Sequence, residues 1–229
     1  MTKSTVPSAR NRPRAIVRLL EENIGCGLLR PGTWLKQADL QREYRCSRLD
    51  LREALNRLVE KGLVSLEPNR GYRVQKIDET RLLHLLQVRA VLEVEAIESI
   101  VTNTEQTALA ELRSLAAAFS EAVMNGTVLE QERTNREFHD AFLCGCSNPE
   151  VVWLINDLRN RTPVAQNRRK NTHAWLLQTA EDHLEMITLL ESRDVRALRA
   201  LIRRHVLGGT DALERSADPR PGADRSGGS

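Results

Sequence analysis

Four side chains in the second half of the chain have the types and spacing to hold a metal ion. Asn135 and His139 lie four residues apart, so a helix would place them on one face. His183 precedes a predicted helix break near Arg193 by about 10 residues and His205 follows it by about 12, so a helical hairpin would return both histidines to nearly one level. Three imidazoles and a carboxamide oxygen suit a borderline divalent ion such as zinc, nickel or manganese.

A structural role competes with this hypothesis for each histidine taken singly. A lone histidine on a helix is more often a core or surface residue than a ligand, and we assign that role to His84 and His173. For His139, His183 and His205 we favour a shared site, because the hairpin arrangement brings the last two together and a neighbouring helix could supply the first.

The elements that would position these residues are all helical. From about Asp78 onward, apolar residues recur at helical spacing and no strand-like alternation interrupts them. Aromatic residues make up only 3% of the chain, so leucine, alanine, valine and isoleucine must fill the core. We predict an antiparallel bundle of about six helices over residues 78–101, 105–124, 128–145, 149–169, 173–191 and 194–213.

A second set of chemically active residues lies on a predicted helix from Ser47 to Lys61. Leucines such as Leu51 and Leu55 recur at the spacing of a buried stripe, whereas Arg48 and Arg52 occupy the other side. Arginine binds guanine O6 and N7 through two parallel donors, which suits a helix in a DNA major groove. From this helix alone, an ordinary surface helix with scattered charges is an equal alternative.

The flanking segments favour DNA binding. A leading helix spans about residues 10–23, and a short amphipathic helix over 36–44 is joined by a tight turn to the helix that starts at Ser47, as in a helix-turn-helix. Residues 62–75 then form two short strands around a turn with Arg70 at its tip, which predicts a small β-hairpin, or wing.

Charge supports the same division of the chain. Residues 1–78 hold 16 Lys and Arg against 9 Asp and Glu, whereas the remainder holds 18 against 22. A basic N-terminal third on a weakly acidic body is typical of a nucleic-acid-binding module fused to another domain. The four cysteines form neither a disulfide framework nor a paired zinc motif, and no apolar run could span a membrane or serve as a signal core, so we expect a cytoplasmic protein.

Residues 10–76 resemble the winged helix-turn-helix domain of GntR-family transcription regulators. The matching residues include Pro31-Gly32, Ser47-Arg48, Arg52-Glu53-Ala54-Leu55, Gly62-Leu63-Val64 and Arg70-Gly71. One departure is Ala38, where some relatives place a DNA-contacting arginine. We predict that the residues contacting DNA are Lys36, Ser47, Arg48, Leu49, Arg52, Arg70 and Gly71.

Residues 80–207 resemble the FCD ligand-binding domain of the FadR branch, near its VanR-like subgroup. The resemblance rests on Leu86-Gln87-Val88-Arg89, Asn135 with Phe138-His139, Asn148-Pro149, Glu181 with His183, and His205. It implies a metal held by one Asp, sometimes Asn, and three His, here Asn135, His139, His183 and His205. It also implies a small carboxylate or sugar acid beside the metal, for which Arg89 is the candidate partner. The alternative for Arg89 is a structural ion pair with Glu93.

The sequence therefore predicts a mainly α chain. It comprises a flexible N-terminus (1–9), a winged helix-turn-helix of three helices and a β-hairpin (10–76), an all-helical effector, metal-binding and dimerisation domain (77–214), and a disordered tail (215–229). The predicted function is an effector-controlled, homodimeric transcription regulator that binds a palindromic operator in double-stranded DNA and is not an enzyme.

Two alternatives remain open at the level of sequence. One is a metal-dependent hydrolase with an N-terminal nucleic-acid anchor, because three histidines with an open position can activate water. Glu137 and Asp140 are the nearest candidate bases, but we expect both to face away from Asn135 and His139. The other is a helical bundle that only dimerises and binds neither ligand nor metal.

Overall fold

The first domain packs three helices against a small antiparallel sheet. The computed structural model describes residues 12–76, 78–162 and 172–208. The elements of this domain are α1 (Arg12–Gly25), β1 (Trp34–Leu35), α2 (Gln37–Tyr44), α3 (Arg48–Glu60), β2 (Val64–Glu67) and β3 (Gly71–Val74). Helix α3 lies against both α1 and α2, and its apolar stripe forms the centre of the core.

Local chemistry fixes where α3 begins. The Ser47 hydroxyl accepts a hydrogen bond from the backbone N–H of Asp50 at 3.1 Å and donates to the Asp50 carboxylate at 2.7 Å. The cap satisfies one of the free N–H groups of the first helical turn. Leu51, Leu55 and Leu58 are fully buried, so the predicted apolar stripe of this helix is confirmed.

The sheet has one strand more than the predicted hairpin. The strand order is β1-β3-β2, with Trp34 opposite Arg73 in one pair and Leu66 opposite Tyr72 in the other. The Arg73 guanidinium lies 5.3 Å from the centre of the Trp34 ring, and its Nε donates to the carbonyl oxygen of Gly32. A strand of two residues is too short to show alternation, so only tertiary contacts reveal β1.

The second domain is the predicted bundle. In the described residues its helices are α4 (Glu79–Asn103), α5 (Gln106–Asn125), α6 (Val128–Leu143), α7 (Pro149–Arg161), α8 (His173–Glu191) and α9 (Val195–Leu207). Helix α4 packs against α7 and α9, α5 packs against α6 and α8, and α8 packs against α9. Side-chain caps at Asp78, Thr127, Asn148 and Asp194 mark several of the helix starts.

Some predicted boundaries differ from those of the structure. The fourth helix of the bundle was predicted to run to residue 169 but ends at Arg161, and the segment 163–169 lies outside the described residues. The predicted N-terminus (1–9), the end of the last helix (209–213) and the tail (215–229) also lie outside them. None of the described helices is both long and apolar enough to cross a membrane.

The two domains meet where the end of α1 approaches α6. A Cβ atom added at Gly25 would lie 3.3 Å from the Glu132 carboxylate and 3.8 Å from the Arg136 guanidinium. Gly25 therefore allows a close approach between the first domain and the helix that carries Asn135 and His139.

Candidate functional site

The N-terminal turn of α3 presents an exposed cationic surface. Ser47 caps the helix, and the side chains of Arg48, Leu49 and Arg52 all lie in solvent. Within the described parts of the chain, neither arginine forms a hydrogen bond or an ion pair. Free guanidinium groups at a helix N-terminus, where the backbone dipole is positive, are suited to a nucleic acid carrying phosphates and base acceptors.

The remaining predicted DNA-contacting residues flank α3. Lys36 is exposed and immediately precedes α2. Arg70 is exposed at the tip of the wing, 3.9 Å from Glu67, and Gly71 follows it with a φ of 100°, a conformation that favours glycine. Sequence analysis missed Arg45, which is exposed in the turn between α2 and α3 with a φ of 47°.

The three predicted histidines converge in the bundle. The Nε2 atom of His139 lies 3.3 Å from the Nε2 atoms of both His183 and His205. All three side chains are buried. Two nitrogens bound to one tetrahedral zinc ion at about 2.0–2.1 Å would be about 3.3–3.4 Å apart, so this spacing fits a shared metal ion.

Asn135 and Asp182 extend this cluster. The Oδ1 atom of Asn135, one turn before His139, is buried and has no hydrogen-bond partner among the described residues. The carboxylate of Asp182 lies 2.9 Å from Nδ1 of His205. A proton on Nδ1 directed at Asp182 places the lone pair of this ring on Nε2, which faces His139, and this is the usual outer-shell arrangement around a ligand histidine.

Packing of the helices explains this convergence. The break between α8 and α9 falls at Ser192 to Asp194, with Arg193 at a φ of 54°, as the hairpin prediction required. The His183 ring stacks on Phe138 with centroids 3.9 Å apart and an interplanar angle of 16°. Phe138 precedes His139 on α6, so one stacked pair sets the position of two of the histidines.

Burial keeps His139 and His183 in the neutral form that binds metals. Burial, reinforced by the charge of Arg159 and by neighbouring histidines, holds the pKa of His139 and of His183 well below the usual value. Burial alone would raise the pKa of Asp182, but hydrogen bonds from His205, Gln178 and Arg204 keep it low. A neutral imidazole can bind a cation without first losing a proton, and a nearby ionised carboxylate favours the positive charge.

A cavity of about 230 Å³ opens beside the histidines. Its lining includes Asn135, His139 and His205 together with the guanidinium-bearing residues Arg89, Arg136 and Arg159. Arg89 lies in it as predicted, but it also forms the predicted alternative contact: its Nε atom is 3.2 Å from Glu93 Oε1. That pair lacks hydrogen-bond geometry, since neither atom has a hydrogen-bond partner in the described residues.

Arg159 is a second buried cation that sequence analysis missed. Its Nε atom lies 3.6 Å from Glu93 Oε1, so two guanidinium groups share one carboxylate. Burial lowers the pKa of Arg159 to about 10 and also lowers that of Arg89, against the opposing effect of Glu93 in both cases. Both arginines line the cavity, where an entering anion would meet them together with the carboxylates of Glu132 and Asp140.

The predicted orientation of Asp140 was wrong. Asp140 lines the same cavity as Asn135 and His139, because a residue 100° further around α6 still reaches its exposed rim. Glu137, by contrast, is exposed and lies near Arg133 on the outer side of the helix. His84 and His173 are exposed, and the triad is the one group of three possible metal ligands found in the described residues.

Comparisons with known proteins identify both domains. The profile for bacterial regulatory proteins of the gntR family matches residues 13–74, and the FCD domain profile matches residues 84–208. The HTH-type transcriptional regulator BphR of Paraburkholderia xenovorans (strain LB400) is 29% identical over 89% of this chain and 86% of its own length. The Nta operon transcriptional regulator of Aminobacter aminovorans is 26% identical over 77% and 82%.

A solved structure shares the fold. Escherichia coli McbR/YncC superposes with a TM-score of 0.78 over 93% of this chain and all of that one, at 21% identity. The FCD profile covers more than half of the sequence, and the basic helix α3 lies in the segment that the gntR profile covers. The chain therefore belongs to the GntR family of bacterial regulatory proteins, carries an FCD domain, and is a DNA-binding transcription regulator.

Proposed function

We propose that a small anionic effector, bound beside a divalent metal ion in the cavity of the FCD domain, controls the affinity of this regulator for its operator. The observation that carries the proposal is the convergence of three histidine Nε2 atoms, two of them from His139 and His205 in the wall of a cavity that Arg89 and Arg159 also line. The predicted surface of Lys36, Ser47, Arg48, Leu49, Arg52, Arg70 and Gly71 would contact the operator.

The metal part of the proposal rests on three nitrogen atoms that face one another and on one oxygen atom without a hydrogen-bond partner. His139 Nε2 carries either one proton or one lone pair, so it can form at most one good hydrogen bond with the two Nε2 atoms that face it. Asn135 Oδ1 is buried and unpaired in the described structure. A divalent ion held by Asn135, His139, His183 and His205 would satisfy these atoms and supply a positive centre for an anionic ligand.

The effector part rests on charge and volume. A cavity of about 230 Å³ suits a small organic acid, and a carboxylate can form paired hydrogen bonds with a guanidinium group. Glu93 is the acidic side chain within ion-pair distance of Arg89 and Arg159 in the described residues, and Asp140 also acts on the charge of Arg159. We assign both arginines to the effector carboxylate, with which each could form a charge-assisted hydrogen bond.

Residues of α6 lie between the cavity and the DNA-binding domain and could transmit a change from one to the other. Glu132 and Arg136 line the cavity on α6, and both also lie beside Gly25 at the end of α1. A ligand alters operator affinity only if it binds the DNA-competent and DNA-incompetent arrangements with different free energies. Movement of α6 on ligand binding would change the contact between α6 and α1. The ligand would then bind the two arrangements with different free energies.

We further propose that the protein is a homodimer. Val88 and Val91 on α4 are 52% and 62% exposed, and Trp153 on the adjoining helix α7 is 62% exposed. A second copy that covered these side chains would pair two winged helices for a palindromic operator.

One observation favours the alternative of a metal-dependent hydrolase. Asp140 lines the cavity and could serve as a general base for a metal-activated water. Chelator-sensitive hydrolysis of a generic ester or amide would support it, and loss of this activity in Asp140→Asn would identify the base.

Removing one triad histidine should abolish metal binding. We expect elemental analysis of protein purified without chelator or nickel resin to find one divalent ion per chain, and none in His183→Ala. His84→Ala, which alters an exposed histidine, is the matched control and should retain the ion. A wild-type protein that stays metal-free when incubated with zinc, nickel or manganese would favour a bundle that only dimerises.

Replacement of Arg159 should abolish the thermal stabilisation of the protein by small carboxylic or sugar acids. In a panel of small carboxylic and sugar acids, we expect at least one to raise the Tm of the metal-loaded protein by several degrees, because a ligand at about 100 times its Kd stabilises the fold by about 2.7 kcal/mol. The corresponding amide should have no effect, and Arg159→Gln should lose the shift. Arg113→Gln, which removes a surface ion pair with Glu191, should keep it. Equal shifts in wild type and Arg159→Gln would contradict the assignment.

Widening the contact between α1 and α6 should uncouple the two domains. Gly25→Leu places its side chain against Glu132, so we expect the change in operator affinity on effector binding to fall about fivefold or more while metal content is unchanged. Gly25→Ala should produce a smaller change of the same kind. An unaltered effector response in Gly25→Leu would exclude this route.

A charge in the proposed dimer surface should dissociate the protein. We expect Trp153→Glu to halve the mass measured by sedimentation equilibrium, because a buried unpaired carboxylate strongly disfavours association. Leu184→Glu alters a side chain that is 52% exposed on α8 and should leave the dimer intact. A wild-type protein that sediments as a monomer would contradict the proposal directly.

A further inference from the structure

Leu49 is an apolar side chain in a position that the fold does not explain. It is 74% exposed, more than any other large apolar side chain in the described residues. The neighbouring leucines of α3, such as Leu51 and Leu55, are fully buried, so the helix has ample apolar surface for its own core. Leu49 contributes nothing to that core and must be explained by what lies outside it.

The surroundings of Leu49 point to DNA as the occupant. Leu49 is the second residue of α3, three positions before Arg52 and one after Arg48, so the three side chains share the outward surface of the first turn. Both arginines are exposed and lack a partner in the described chain. Cα–Cβ bonds tilt toward the N-terminus of a helix, which is the end that enters the major groove in a helix-turn-helix protein.

The chemistry of the major groove offers one apolar group. Guanine, adenine and cytosine present nitrogen and oxygen donors and acceptors there, whereas thymine also presents a methyl group at C5. A leucine can neither donate to nor accept from a base edge or a phosphate. Its favourable contact in this groove is with that methyl group.

We propose that Leu49 is a specificity-determining residue that selects thymine, through its 5-methyl group, at one position in each half-site of the operator. This inference rests on the proposed role of the α3 N-terminus in contacting DNA. Arg48 and Arg52 would bind guanines or phosphates beside this position, and Leu49 would distinguish thymine from cytosine at it.

Replacement of thymine by uracil tests the inference, because it removes the methyl group and leaves the hydrogen-bonding edge unchanged. The operator is first selected by the full-length protein from a random duplex library, and each thymine is then replaced in both half-sites together. We expect one symmetric position at which uracil weakens the Kd by about fourfold or more per half-site, the change for exposing one methyl-sized group. If that position is changed to cytosine paired with guanine, 5-methylcytosine should bind more tightly than cytosine.

The matched variants separate this inference from the wider proposal. Leu49→Ala should bind the thymine and uracil operators with equal Kd values. Leu28→Ala alters a side chain that is 68% exposed outside α3, and it should keep the wild-type ratio of the two Kd values. Arg48→Gln and Arg52→Gln should weaken binding to both operators. If these arginine variants lose affinity but uracil has no effect at any position, the Leu49 inference is wrong and the α3 interface stands. If the arginine variants bind as wild type, or no sequence is selected, both are wrong.

Discussion

The metal site proposed for the FCD domain depends on the packing that holds three imidazole rings facing one another. Lone pairs on three neighbouring nitrogens repel unless a proton or a cation lies between them, and the burial of His139, His183 and His205 removes the water that could screen them. The rings nevertheless stay in place because Phe138 stacks on His183 and Asp182 holds His205. The packing of α6, α8 and α9 therefore maintains three imidazole nitrogens at the spacing that one divalent ion would require.

Buried and exposed arginines in this chain have different electrostatic surroundings. Arg89 and Arg159 line one cavity and share the Glu93 carboxylate, and the limited exposure of their side chains strengthens their interaction with nearby charges. Arg48 and Arg52 lie in solvent, where counter-ions screen them and where they gain most from the dense charge of DNA. The same side chain thus suits a small, enclosed anion in one domain and an extended polyanion in the other.

Features that depend on local residue spacing were predicted from the sequence better than features that depend on tertiary contacts. The separation of Asn135 and His139 and the helix break near Arg193 predicted two pairs of neighbours, because each depends on the geometry of one helix or one hairpin. That α6 packs beside the hairpin of α8 and α9 was an added assumption. Arg159, Asp182 and the cavity-facing position of Asp140 could not be predicted in this way, since their roles arise from neighbours on other helices or from the width of the cavity. The two-residue strand β1 was missed for the same reason.

The side chains proposed to bind the effector and the metal lie on helices that include α4 and α6, and both of these helices adjoin the DNA-binding domain. Arg89 belongs to α4, which begins at Glu79 just after the last strand of the winged domain, and Arg159 belongs to α7, which packs on α4. The histidines belong to α6, α8 and α9, and α6 also contacts α1. A molecule that joins the arginines to a metal on the histidines would fix α4 relative to α6, and both of these helices adjoin the DNA-binding domain in the described residues. A coupling free energy of about 1–3 kcal/mol is enough for a regulatory response, and a small shift between these two helices could supply it.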